Sequence, residues 1–413
     1  MKTERLTESK AVTLTLTDNQ ADQLRQIGRA LASETQWWGA DADAQRPDRS
    51  IVRCQRLAGT RHTVRVADMV GVIGLEDLQL IIEPKIPLPH LLYLLVESNQ
   101  IPRSLYERSS LAPEDNFFTV IARWFVHTCE LLLRNGLISD YGSITADLPC
   151  ARGRIHTIKT ARSVMVGRPA IRCDFDRFGE DTSLNRVLKA AGEKLLRAAG
   201  LPIDLRERCR RIQYRLSDVG QLRRSDLRAR PDALSRRYRD AHPLALAILA
   251  CTGLNLEEGS ESTWTFLFRT PEAVEEGLRN SLRTHLGPAW TVRKTAKTLL
   301  GDRNRSLNPD LVFGDSDAVG DVKYRLTADG EIRRGELNQV TTFATGYHTK
   351  KAIVIAFGPC EMGEKVHVGP IEVSGFNWNF DMATPAQAAA TLAENVGSWL
   401  APIRAHDVLD GVL

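Results

Sequence analysis

The chain has 413 residues, enough for roughly two or three domains with their own cores. Its composition, 43% hydrophobic and 26% charged with a net charge of +4, excludes low-complexity and fibrous classes. No apolar run approaches the roughly 20 residues that span a bilayer, and seven scattered cysteines without a CxxC pair argue against a structural zinc site and a disulfide framework. The starting run MKTERLTESK is too polar for a secretory signal, so the expected location is cytoplasmic.

Residues 17–34 predict a helix, capped by Thr17 or Asp18, with Ala21, Leu24, Ile27 and Leu31 on one face. A polar loop over 39–49 contains Pro47. Four strand-like runs follow, SIVRCQRL, HTVRVA, VGVIGL and LQLIIEPKI, with Gly59, Gly71 and Gly74 read as turns or bulges. This β-rich module ends near Pro87, and residues 91–96 start a helix. Residues 115–137 predict a long apolar helix closed by Gly136, whose His127 reads as a helix-face residue rather than a catalytic one. Gly153-Arg154-Ile155 begins a strand. Asp181-Thr182-Ser183-Leu184-Asn185-Arg186 opens a helix to about Ala199, with Asp181 or Ser183 accepting from the free first-turn amides.

Residues 201–254 read as largely helical and Arg-rich, broken by Pro231 and Pro243. Between Arg206 and Arg239 stand twelve arginines against four acids. Arginine outnumbers lysine there, and its planar fork suits phosphate. This segment, with Arg223 and Arg224, is therefore expected to meet the DNA backbone, a solvated helical face or an acidic partner surface being the alternatives.

The last part predicts a strand over 264–268, a helix over 271–286 with proline in its first turn, and a strand over 290–294. Two short strands in LNPDLVFGDSDAVGDVKYRL come next, then a helix over 335–348. KAIVIAF reads as a buried strand, 365–373 as a further strand, and 384–400 as a helix capped by Thr384. Helix, three strands, helix, strand describes a mixed α/β sheet.

The chemistry concentrates in this part. Asp321 and Lys323 stand two apart on a strand, so they share a face, and pairing of the two short strands would bring Asp310 to them. Two carboxylates and an ammonium suit a divalent metal beside a phosphate. The spacing alone is common, and a solvated hairpin would also display such charges. The apolar flanks Leu311, Val312, Phe313, Val319, Val322 and Tyr324 favour a site, and neither Pro47-Asp48 nor Pro231-Asp232 is followed by such a pair.

This order of elements with these residues resembles the PD-(D/E)XK nuclease superfamily. The resemblance implies an acid on the first helix, Glu276 with Glu275 as the near neighbour, and a glutamine on the later helix, Gln339. More closely, the chain resembles the McrC nuclease-subunit family of McrBC-type modification-dependent restriction systems. LQLIIEPKI is similar to the family's early segment. Gly153-Arg154-Ile155, Cys173 to Asp176, and Asp181 to Arg186 are similar to its middle. NPDLVF, GDVKYR and the helix with Asn338-Gln339 and Phe343-Ala344 are similar to its end. Two departures stand out. The family often has Asp-x-Tyr-Gln where this chain has Glu336-Leu337-Asn338-Gln339, and often an aromatic residue where this chain has Glu275.

The resemblance implies an α/β chain with an α+β N-terminal part. A β-rich docking module (1–100) and an Arg-rich middle (101–255) would precede a self-contained, restriction-endonuclease-like domain (256–413), a mixed sheet flanked by helices. It implies an endonuclease of an antiviral restriction system, using Mg²⁺, or Mn²⁺ in its place, held by Asp310, Asp321 and Glu276. Lys323 would orient or deprotonate the attacking water. It also implies a McrB-like AAA+ GTPase ring that reads modified double-stranded DNA and docks the N-terminal half; cutting both strands usually takes two paired nuclease domains, a point on which the site residues are silent. The chain has no Walker A run, so nucleotide hydrolysis would fall to the partner. A non-catalytic activator of a ring NTPase and a sequence-tolerant DNA-binding protein are the competing readings.

Overall fold

The computed structural model describes residues 2–33, 51–108, 115–167, 169–198, 200–251, 255–258, 261–299 and 302–410. The loop expected over 39–49, with Pro47, lies outside them. The chain forms two compact units, one made of residues 1–120 together with 251–413, the other of residues 121–250.

The first unit contains two large sheets. One has five strands in the order Lys2–Thr7, Leu78–Glu83, Met69–Leu75, Glu261–Arg269, Asn255–Glu258. Lys2–Thr7 runs parallel to its neighbour and the other pairs are antiparallel. The central pairing joins Met69–Leu75 to Glu261–Arg269, with Ile73 opposite Thr265. It explains Gly71, which is no turn. Gly71 sits inside the strand at φ +138, and a Cβ there would lie 1.9 Å from the Phe266 carbonyl oxygen, so only glycine fits.

The helix Asp18–Ser33 covers this part with the apolar face expected of it. Leu24, Ile27 and Leu31 are fully buried in one core with Val64, Ile73 and Leu80, each such side chain contributing about 1.5–3 kcal/mol. A smaller sheet, Val12–Thr15, Arg61–Val66, Val52–Ala58, packs into the same core.

The second large sheet has six strands in the order Val292–Arg293, Leu311–Phe313, Ala318–Leu326, Lys351–Phe357, Ile371–Trp378, Met362–Val368. Parallel pairs at the centre, Ala318–Leu326 with Lys351–Phe357 and Lys351–Phe357 with Ile371–Trp378, are flanked by antiparallel ones. The helix Arg334–Tyr347 supplies the crossover between the first parallel pair, burying Val340, Phe343 and Ala344 against Val319, Ala352 and Val354. The single strand expected over 365–373 is instead a hairpin. Gly369, at φ +56, turns Met362–Val368 back onto Ile371–Trp378.

The helix Pro271–Leu286 packs against the helix Leu88–Glu97, so closely that a Cβ on Gly277 would lie 2.1 Å from the Leu94 carbonyl oxygen. Asn280 Nδ2 donates to the Glu97 carbonyl at 2.9 Å, and Trp378 Nε1 donates to His90 Nδ1 at 2.9 Å. These contacts correct the division into 1–100, 101–255 and 256–413. The N-terminal strands, the helix after them and the C-terminal sheet share one unit.

The second unit, taken by itself, carries a polar centre beside buried apolar residues such as Val187, Leu188, Ile212 and Leu244. Arg186 makes a two-pronged bond to Asp226 (2.8 and 3.0 Å) and a third to Asp181 at 2.9 Å. Asn185 Nδ2 donates to the carbonyls of Ile138 and Glu180, and its Oδ1 accepts from the Tyr238 hydroxyl. Thr182, between the two expected caps, accepts from the Asn185 amide at the start of the helix Ser183–Arg197. The region expected to be largely helical is helical only over Ile203–Arg215 and Ala241–Ala250. Between them the described residues form loops and two short 3₁₀ turns, because Arg223 to Arg239 carry few apolar residues at helical spacing. A three-stranded sheet, Asp140–Leu148, Ile171–Gly179, Arg154–Ile155, completes the unit. Among the described residues, no helix is long and apolar enough to cross a membrane.

Candidate active site

Leu311 pairs with Gly320 and Phe313 with Ala318, so Asp310, one residue before its strand, arrives beside Asp321. Asp310 Oδ2 accepts from the Val322 amide at 3.1 Å. Both aspartates are buried, at 7% and 3% exposure. Alternation along Ala318–Leu326 puts Val319, Asp321, Lys323 and Arg325 on the face covered by the helix Arg334–Tyr347. Lys323 Nζ lies 2.5 Å from Asp321 Oδ2 and donates to Gln339 Oε1 at 2.9 Å. Arg325 forks onto Glu336 at 2.6 and 2.7 Å, and Glu336 also accepts from the Arg333 amide at the helix start. Glu336 is thus a structural anchor that fixes the helix, and with it Gln339, against the strand.

The helix acid that faces these residues is Glu275. Glu276 is exposed, while Glu275 is partly buried and feels the charges of Asp310 and Asp321. The preference for Glu276 is therefore corrected. On the helix Pro271–Leu286 the buried stripe includes Leu278 and Leu282, three and seven residues beyond Glu275, whereas Glu276 lines up with Arg279 and Arg283. Period counting could have found this. Two further residues join the site. Arg279 Nη1 donates to the Asp310 carbonyl at 2.9 Å, and Lys294 Nζ lies 3.1 Å from Asp310 Oδ1 and 4.0 Å from Glu275 Oε2. Lys294 stands two positions after buried Val292, so strand alternation was its only signal in the sequence.

The electrostatics are those of crowded acids. Burial, then the charge of Asp310, pushes the Glu275 carboxyl up to about 8, against the pull of Lys294. Burial likewise raises Asp321 to about 6, with Asp310 adding to it and Lys323 opposing. Raised carboxylates beside one another mark a place short of positive charge.

Glu275, Asp310 and Asp321 offer hard oxygen donors of the kind Mg²⁺ and Mn²⁺ take. Asp321 Oδ2 accepts no aligned hydrogen bond even though it is buried. The donor set therefore fits a divalent cation in kind. Among the described residues, no three acidic, histidine or cysteine side chains are already drawn together around one point, and Lys294 and Lys323 supply the neutralising charge instead.

Arg223 and Arg224 are not part of this cluster. Both are exposed in the second unit, on the loop that the Arg223 amide ties to Asp226 at 2.8 Å. Several neighbouring arginines have structural work: Arg208 pairs with Glu130, and Arg206 caps the carbonyls of Leu196 and Ala198.

The family described as McrBC 5-methylcytosine restriction system component matches residues 64–356. Among curated proteins, the type IV methyl-directed restriction enzyme EcoKMcrBC of Escherichia coli (strain K12) is 26% identical over 141 residues, 34% of this chain. The match spans 40% of that relative's length. Among solved structures, the fold is similar to a chain of the Thermococcus gammatolerans half-complex described as McrB AAA+ hexamers with bound McrC. The TM-score is 0.63 at 15% identity, over 96% of this chain and 100% of that one.

Proposed function

Since the chain belongs to the McrBC 5-methylcytosine restriction system component family, we propose that it is the DNA-cleaving subunit of such a system, a metal-dependent endonuclease of the PD-(D/E)XK type. The observation that carries the reading is the meeting of Glu275, Asp310, Asp321, Lys323 and Gln339 from one helix, two paired strands and a second helix. Crowding of buried acids beside lysines has no use in a core, where it costs stability.

Bound by Glu275, Asp310 and Asp321, Mg²⁺ or Mn²⁺ would neutralise the scissile phosphate and acidify a water at neutral pH. The chain's own residues do the rest. Asp310 is fixed at its carboxyl by the Val322 amide and at its carbonyl by Arg279, so its other carboxyl oxygen points reproducibly. Lys323, steered by Gln339, presents an ammonium that orients the attacking water and balances charge building on the phosphate. Lys294, half exposed beside Asp310, is released for phosphate once the acids are otherwise neutralised.

The partner belongs to the same reading. The chain carries no Walker A run, and the similar solved assembly is described as AAA+ hexamers with bound McrC. A McrB-like GTPase ring that recognises modified double-stranded DNA would supply recognition and translocation, and paired nuclease domains would sever both strands, in the cytoplasm. The test is nicking of methylated plasmid by the full chain with its ring partner, with Mg²⁺ and with EDTA. Metal-dependent cleavage that disappears in Asp310→Ala is expected. Equal cleavage by that variant would move the chain to a non-catalytic activator.

A further inference from the structure

The strand carrying Asp321 and Lys323 loses its neighbours where the site is built. Its antiparallel partner ends opposite Gly320, and the parallel ladder to Lys351–Phe357 slips out of register between Val322 and Leu326. Tyr324 falls outside both registers. Its carbonyl is taken by Lys85, whose Nζ donates to it at 2.8 Å and lies 4.2 Å above the Tyr324 ring. Lys85 follows the strand Leu78–Glu83, some 240 residues away in sequence, and its side chain is only 10% exposed.

A buried ammonium needs counter-charge. Glu8 and Asp68 provide it. Asp68 Oδ1 lies 3.2 Å from Lys85 Nζ, and Glu8 accepts from the Lys85 amide at 3.4 Å. Burial raises the Glu8 carboxyl and Lys85 opposes that rise. The same Glu8 accepts from the Thr270 hydroxyl, and the Thr270 amide donates to the Asp68 carbonyl at 3.3 Å. Thr270 is the residue before the helix Pro271–Leu286, and its hydroxyl does not cap that helix. One cluster therefore grips both the strand with Asp321 and Lys323, at Tyr324, and the helix with Glu275, at Thr270.

We infer that Lys85 is a positioning residue for the site: with Glu8 and Asp68 it sets the separation between the helix carrying Glu275 and the strand carrying Asp321 and Lys323. The inference rests on the nuclease reading only for what that separation is used for. A charge-assisted bond across an interrupted ladder does locally what backbone pairing does elsewhere. Because Lys85, Glu8 and Asp68 come from the N-terminal segment, that segment is a working part of the acid cluster and not an appendage to it.

The experiment uses the full chain, with Lys85→Met and Lys85→Arg beside wild type. Amide hydrogen exchange is followed without metal, and Mn²⁺ binding is titrated by water proton relaxation without DNA or partner. Lys85→Met is expected to speed exchange at residues 323–326 about tenfold, leave 351–357 unchanged and weaken Mn²⁺ binding several-fold. Lys85→Arg, which keeps a cationic donor, should recover most of both. Unchanged exchange at 323–326 overturns the inference. So does faster exchange across the whole sheet, which a merely structural loss would give. If Lys85→Met does not fold, Glu8→Gln carries the same readouts with the same two overturning results. Wild-type protein that binds no Mn²⁺ while the local exchange responds would remove the nuclease reading and leave the positioning in place.

Discussion

Two clusters of buried charge in this protein have opposite characters. In the second unit, Arg186 is hydrogen-bonded to Asp226 and Asp181, and Asp226 is held down at about 2, first by the Arg186 bond. Asp181 is also lowered, its burial outweighed by Arg186 and the Gly220 amide. In the first unit, Glu275 and Asp321 are pushed up by burial and by their neighbour Asp310. One cluster has its carboxylates hydrogen-bonded to Arg186 and to backbone amides and held low, so it stabilises a fold. The other keeps acids together at raised values although Lys294 and Lys323 stand beside them, which is the arrangement expected if the proposed site takes a cation. Asp181 and Arg186 read in the sequence as the start of a helix, whereas Asp310, Asp321 and Lys323 read as a site, and the pairing shows a matching contrast in charge.

The largest test of that contrast is on activity. Asp321→Ala should lower cleavage by roughly a thousandfold or more, as expected when several kcal/mol of metal-borne charge stabilisation is lost. Its thermal midpoint should hold or rise, since an undercompensated buried charge has gone. A lower midpoint with cleavage retained would reverse the two roles. The mirror experiment is Arg186→Met, which strands Asp226 at 1% exposure. It should destabilise the protein by about 3–5 kcal/mol in denaturant unfolding, and a near-zero change would show that the pair is not what holds the second unit.

The pH dependences should run in opposite directions. Glu275 binds its proton more tightly folded than unfolded, so its contribution is favourable at low pH. It is lost as pH rises from the ordinary value near 4.5 through about 8. Without metal, wild type should lose stability relative to Glu275→Gln over that window, and Mg²⁺ should remove the difference. Asp226 has a depressed value, so its contribution is full above the ordinary carboxylate range and fades as pH falls through about 2. Parallel pH profiles for Glu275→Gln and wild type would break the comparison. The smallest effect concerns the exposed arginines. Charge reversal at Arg223 and Arg224 should reduce the salt slope of DNA binding by about one unit for each phosphate that is no longer neutralised, without altering base preference. An unchanged slope assigns that loop to a protein partner.

Local pattern carried much of this. The helix Pro271–Leu286 and the strand Lys351–Phe357 stand where proline at the first turn and the run KAIVIAF place them. Asp310, Asp321, Lys323 and Gln339 meet because strand alternation and one hairpin register are short-range facts. What stayed hidden is long-range. Nothing in VGVIGL announces that its partner is Glu261–Arg269, and nothing in KTERLT announces a parallel strand beside Leu78–Glu83. The choice between Glu275 and Glu276 turned on one residue of helix phase, which the apolar stripe decides and a resemblance does not.

The discontinuous first unit has a consequence for how the chain is made. Met69–Leu75 leaves the ribosome about 190 residues before Glu261–Arg269 can pair with it, a wait of roughly 10–40 seconds at usual elongation rates. Through that interval one edge of an apolar strand, MVGVIGL, has no partner from its own chain, and such edges recruit strands from other molecules. The whole second unit is synthesised meanwhile and can fold first. Nascent protein should therefore depend on chaperones until Arg269 has emerged, and the acids of the site can come together only after Asp321 has followed it.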